Sequence, residues 1–393
     1  MINFAPLEYF MDHMLRGRSP GSAVEVYLKG ERVYQHTCGY ADWENKILLT
    51  GNELYNIYSC SKIATVTAAM QLVEQGKCGL DDPLYAYIPE YKEMYIQKEE
   101  ELVKANNPIT LRHLFTMTAG LTYNMNTDAF RKARETTDGR MDTVETIRCL
   151  ASDPISFEPG TQWQYSLCHD VLAAVVEVVS GMKFRDYMKK FLFDPLEMGE
   201  TVYHQTPETL SRMAEQYNFV PYEASASASV IEQQSGSGVG DGWFENVGKG
   251  NRLVPGPEYD SGGAGIITSV SDYTKLMAAL AGYGKGANGE QILRKETVEL
   301  MRQNAISPEQ LEVFQKMGQM KGCGYGLGVR THLSQEQSGV ISSLGEFGWG
   351  GAAGATAVID PEIELAVFYA QHILNPREEY YQPRIRDIVY RCL

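Results

Sequence analysis

The order of strand-forming and helix-forming segments constrains this chain most. Near the amino end, residues 23–28 (AVEVYL) and 32–38 (RVYQHTC) alternate around Lys29-Gly30-Glu31, the pattern of a β-hairpin. Strand signals return towards the other end, at 324–330, 352–360 and 364–370. From about Ile63 to Met213 apolar residues recur at helical spacing, interrupted at Gly76, Pro83, Pro108, Gly120, Gly160, Gly181 and Pro195. Further helices are predicted over 4–16, from Ser269-Val270-Ser271-Asp272 to Gly282, over 296–302 and over 383–392. Strands at both ends with helices between predict an α+β fold: one antiparallel sheet flanked by helices, assembled from both chain ends, with an all-α lobe inserted. The expected division is a sheet domain of 1–80 and 262–393, a helical lobe of 81–213, and a flexible loop or hairpin near the site at 214–261. Within that last piece, 222–257 is rich in Ser, Gly and Asn and reads as a lid or as a plain surface loop.

Size and charge narrow the function. A chain of 393 residues and net charge −15 holds an enzyme-sized core and repels nucleic acid and anionic membranes. The first residues carry no signal-peptide pattern and no run reaches the ~18 apolar residues of a membrane span, so a cytoplasmic location is expected. Seven scattered cysteines without a C-x-x-C pair read as reduced thiols, and the seven histidines show no metal-ligand spacing. Neither metal nor cofactor is expected, and nothing sets the oligomeric state.

The chemistry centres on Ser59-Cys60-Ser61-Lys62, directly before the apolar helical run 63–75. At i and i+3, Ser59 and Lys62 share a helix face, and the first-turn N–H groups favour a developing anion there. A second match, Ser180-Gly181-Met182-Lys183, follows an apolar run and reads as a helix end without free N–H groups. Cys60 is turned roughly 100° from the Ser59–Lys62 face. Tyr165, in a turn before the helix from about His169, suits a general base if held against the Lys62 ammonium. Glu346-Phe347-Gly348-Trp349-Gly350-Gly351-Ala352 is glycine-rich at the head of a strand. Its glycines leave room for a substrate along the edge, and the N–H groups of Ser59 and Ala352 can form an oxyanion pair; a simple hairpin turn is the competing reading.

These residues resemble the serine β-lactamase and penicillin-binding-protein superfamily, on the class C side that includes the family VIII esterases and D-aminopeptidase-like enzymes. The nucleophile element is Ser59-Cys60-Ser61-Lys62, and the tyrosine element is Tyr165-Ser166-Leu167, preceded by Phe157-Glu158-Pro159-Gly160. Residues 111–121 (LRHLFTMTAGL) and 261–269 (SGGAGIITS) follow in the family's order, so the resemblance covers most of the chain. Two departures bear on substrate. Leu167 stands where the family's β-lactamases usually carry an Asn that contacts the substrate amide, and Trp349 replaces the Lys or His that would pair with a carboxylate. The resemblance therefore implies an acyl-Ser59 serine hydrolase, with Ser59, Lys62 and Tyr165 as catalytic residues and a small neutral ester as substrate for hydrolysis or acyl transfer. Trp349, Gly350, Gly351 and Leu167 would shape the pocket, together with Tyr123 and Asp260, chosen by loop position. A β-lactamase or D-amino-acid peptidase or amidase is the alternative, and a non-catalytic binding protein on the same scaffold is the third reading.

Overall fold

A computed structural model describes residues 2–14, 18–222, 238–239, 242–317 and 320–393. Its main sheet has eight antiparallel strands: β1 Gly21–Leu28, β2 Glu31–Asp42, β3 Ile47–Leu48, β4 Cys323–Tyr325, β5 Arg330–His332, β6 Phe347–Gly348, β7 Thr356–Asp360 and β8 Leu365–Gln371. Their spatial order is β4-β5-β6-β7-β8-β1-β2-β3, so the amino-terminal hairpin completes a sheet begun by the carboxy-terminal strands. The joint is β1 against β8, where Val24 faces Tyr369 and Glu25 faces Phe368.

Alternation splits the sheet's residues between two cores. Val24, Val26, Val367 and Tyr369 pack under the amino-terminal helix Ala5–Tyr9 and the terminal helix Glu378–Cys392. Ala23, Ala366, Phe368 and Ala370 belong to the larger core on the other face, beneath the helix Val270–Ala281. In the same core lies α1 (Ser61–Glu74), buried from Ser61 to Leu72 and packed against α2 (Cys168–Ser180). A helix buried on every side is held by what surrounds it, and each fully buried Leu, Ile or Val contributes about 1.5–3 kcal/mol, while its buried polar side chains, Lys62 among them, need partners inside. The sequence thus places α1, and the residues just before it, at the centre of the molecule.

Several predicted elements differ in the structure. The helical block contains a hairpin, Tyr95–Lys98 against Glu101–Lys104. The segment 324–330 is two strands around a turn, with Gly328 at φ +83°, and 352–355 is a turn that precedes β7. The last helix starts at Glu378 and carries Pro383 inside it, whereas the sequence suggested proline at its start. Helix Pro308–Gln315, capped by Ser307, was not anticipated. Within 214–261 the strands Gln216–Pro221, Gly238–Val239 and Gly242–Gly248 form a small sheet. The lid predicted over 222–257 lies, for 223–237 and 240–241, outside the described residues.

Candidate active site

Ser59 sits in a single 3-10 turn, Tyr58–Cys60, that runs directly into α1. Tyr58 has φ +44°, a left-handed conformation that costs a bulky residue of order 1–3 kcal/mol. It is held by burial and by its hydroxyl, which donates to Gln216 Oε1 at 2.7 Å. This turn brings the Ser59 side chain to a cleft of about 460 Å³ while leaving the residue only 8% exposed.

Lys62, one turn on, is fully buried. Its Nζ donates to Gly263 O at 2.7 Å, Tyr123 OH at 3.2 Å and Ser59 Oγ at 3.3 Å. The last contact joins the two residues that their i, i+3 spacing places on one face. The peptide that carries the Gly263 carbonyl is anchored through its other end: the Ala264 N–H donates to Ser261 Oγ at 3.0 Å, and Ser261 Oγ donates to Asp170 Oδ1 at 2.7 Å. Burial pushes the Asp170 carboxyl up, with the Lys62 charge pulling the other way.

Tyr165 is half-buried in an aromatic stack, its ring centroid 5.7 Å from Trp349 and 5.5 Å from Tyr123. The expected ammonium contact takes a different form: Lys62 Nζ lies over the Tyr165 ring, 4.7 Å from its centroid, and the hydroxyl bonded to Lys62 is that of Tyr123. Tyr165 OH accepts instead from the Trp349 indole N–H at 3.3 Å. The indole that replaces a cation therefore touches the proposed base.

The glycine-rich segment fits closely against the nucleophile turn. A Cβ on Gly351 would stand 2.2 Å from the Ile57 carbonyl, and one on Gly348 2.0 Å from the Ala357 carbonyl. Cys60 Sγ donates to Trp349 O at 3.5 Å, so this thiol points into the packing, and burial pushes its pKa up. The N–H groups of Ser59 and Ala352 donate to no carbonyl among the described residues, which suits them to a substrate oxyanion. Ser59, Tyr165, Trp349, Gly350 and Ala352 line the cleft on one side. Met317, Met320 and Glu378 complete it, and sequence reasoning named none of these three. Beneath the segment, buried Glu346 accepts from Arg330 Nη1 at 3.1 Å and Arg386 Nη1 at 3.2 Å. Burial works to raise its pKa, but the two guanidinium charges outweigh it and hold the carboxyl below its ordinary value.

Two expected pocket residues belong elsewhere. Leu167 caps α2 and packs into the core, since the chain turns inward there to start a buried helix. Asp260 is buried with its carboxylate taken up by Arg185, whose Nε donates at 3.1 Å, and by His204, whose Nε2 lies 2.7 Å away. Arg185 and His204 line a different cleft. Tyr123, by contrast, is brought into the site. The second S-x-x-K match ends α2, with Gly181 left-handed at φ +69°. Asp170, Ser261 and Gly263 carry a positioning network that the sequence did not reveal, although 261–269 was recognised as a landmark.

A family model described as Beta-lactamase matches residues 7–390. Esterase EstB of Burkholderia gladioli is 28% identical over 377 residues, which cover 92% of this chain and 88% of that protein. The solved structure of EstCE1, described as a hydrolase with promiscuous acyltransferase activity, superposes with a TM-score of 0.74 at 26% identity, covering 96% of this chain and 95% of that one. The fold is shared with simvastatin synthase LovD from Aspergillus terreus, TM-score 0.74 at 21% identity, covering 98% of this chain and 97% of that one.

Proposed function

The chain belongs to the beta-lactamase family, and from that premise we propose that it is a serine hydrolase of the esterase and acyltransferase kind, acting on a small neutral ester through an acyl-Ser59 intermediate. The supporting observation is the Trp349 indole, which occupies the place of the family's cation and spends its N–H on Tyr165. A substrate carboxylate would meet no ammonium from that position, while an apolar acyl group would meet Trp349, Met317 and Met320.

In the proposed reaction Tyr165 acts as a phenolate, its own hydroxyl proton having left to solvent, and the Ser59 Oγ–carbonyl carbon bond forms as the Oγ proton passes to the Tyr165 oxygen. The oxyanion is received by the Ser59 and Ala352 N–H groups. The bond to the leaving alcohol then breaks, and Tyr165 returns the proton to that alcohol. Lys62 orients Oγ and stabilises negative charge on the Tyr165 ring from above. A water or a second alcohol reverses the sequence and releases the acyl group. The main-sheet strands come from both chain ends, which supports the division into a sheet domain of 1–80 with 262–393, a lobe of 81–213 and a segment of 214–261. No helix among the described residues is long and apolar enough to cross a membrane.

The test is intact mass and turnover with p-nitrophenyl esters of graded chain length and, separately, a cephalosporin, with Ser59→Ala as control. Ester turnover or an acyl adduct that the variant loses is the expected result. Prompt cephalosporin hydrolysis would favour the β-lactamase alternative, and no reaction with any probe would favour a binding role.

A further inference from the structure

A second group of reactive side chains lies on the sheet face opposite the one that carries α1. His36 and Cys38, two apart on β2, share that face. Asp12 reaches them from the helical turn Phe10–Met14, with its Oδ1 2.8 Å from His36 Nε2. One carboxylate oxygen, one imidazole nitrogen and the thiol sulfur all fall within 4.8 Å of one another. Cys38 Sγ also lies 3.4 Å from Ser22 Oγ, a partner able to hydrogen-bond a thiolate.

We propose that Asp12, His36 and Cys38 bind one zinc-like divalent cation, which ties the amino-terminal helical segment to the sheet and keeps a fourth position for water. The donor set decides the metal class. Thiolate with imidazole suits zinc and its borderline-soft neighbours, whereas magnesium and calcium take oxygen ligands. Tetrahedral bonds of about 2.0–2.3 Å place donor atoms roughly 3.3–3.8 Å apart. The Asp12–His36 pair then opens by under about 1 Å, and the sulfur, within 4.8 Å of both, closes by at most about 1.5 Å. On binding, the Cys38 thiol proton leaves to solvent, and the imidazole ligates through Nε2 with its proton on Nδ1. An Asp–His pair alone is an ordinary surface contact; the adjoining thiol is what makes a metal the better occupant. All three side chains are partly accessible, so an ion can enter.

The remaining six cysteines are buried, so a sulfur signal from added metal reports Cys38. Full-length protein freed of metal by dialysis is titrated with Co²⁺ and then Zn²⁺, followed by absorption and by thermal unfolding. The expected result is one equivalent of Co²⁺ with a thiolate-to-metal charge-transfer band that Zn²⁺ bleaches, and a higher melting temperature with Zn²⁺. Cys38→Ser should lose the band, and His36→Asn should weaken uptake about tenfold or more. Both variants should keep the ester activity of metal-free protein, which shows that they are folded. Absence of the band from the unsubstituted protein would overturn the proposal without reference to any variant, as would a Cys38→Ser protein that binds like the original.

Discussion

At the scale of single residues, Lys62 is the point on which the site turns, because its ammonium serves three oxygens at once. Removing one acceptor should let it swing away from Ser59 Oγ. A hydrogen bond to a charged group is worth about 1.5–3 kcal/mol, so Tyr123→Phe should lower kcat/KM roughly 10- to 100-fold with little change in melting temperature. Tyr165→Phe removes the proposed proton carrier and should cost about 10²- to 10⁴-fold. Comparing the two variants on one ester is decisive about the base. If Tyr123→Phe proves the more damaging, the phenol bonded to Lys62, and not Tyr165, takes the Ser59 proton. Trp349→His belongs beside them, since it restores a group able to carry charge and should raise the cephalosporin-to-ester ratio of kcat/KM. An unchanged ratio would remove Trp349 as the origin of the preference.

At the scale of elements, the nucleophile turn is shaped by the segment packed against it. Gly351→Ala would drive a methyl group into the Ile57 carbonyl and displace the Tyr58–Cys60 turn, so activity should fall more steeply than stability. Glu346 secures the same segment from below, and Glu346→Gln leaves Arg330 and Arg386 buried without a counter-charge. That should cost about 3–5 kcal/mol, measured by denaturant unfolding. The pH dependence has a definite sign. The folded pKa of Glu346 lies below its unfolded value of about 4.3, so its stabilisation is fully present above that pH and is lost as pH falls through the folded value. The variant should therefore lose part of the acid-side decline in stability seen in the parent. These elements also show what could be read in the sequence. Ser59 and Lys62 are one helical turn apart, so spacing alone places them together. The Lys62 contacts to Tyr123 and Gly263 span 61 and 201 residues and leave no local pattern. The hairpin at 95–104 was missed because it buries little beyond Ile96, with Leu102 and Val103 exposed, so the alternation that marks a strand is weak there. Pro383 misled for a different reason: proline is commonest at a helix start, yet here the first turn is supplied by Glu378 and Glu379. Asp260 was chosen by position in a loop, which says nothing about the arginine waiting for it.

At the scale of the whole molecule, a net charge of −15 surrounds a cleft in which an indole replaces the family's cation and Glu378 is part of the wall. Long-range repulsion should slow the approach of an anionic substrate, and the cleft has no cation at the Trp349 position to compensate. Both effects act on charge, but only the first is screened by salt. The Debye length falls from about 10 Å at 0.1 M to about 3 Å at 1 M, so added salt should raise kcat/KM for an anionic substrate such as a cephalosporin. It should leave kcat/KM for a neutral p-nitrophenyl ester nearly unchanged. The preference for the ester should therefore narrow with salt but not disappear, because the remainder is the local absence of a carboxylate partner at Trp349. Two other outcomes are informative. Preference abolished at high salt would assign selectivity to net charge and not to Trp349, while an anionic substrate favoured at low salt would mean that a cation elsewhere in the cleft receives it. Measured on Trp349→His as well, the same salt series separates the two contributions, since the substitution alters the local term and leaves the surrounding field in place.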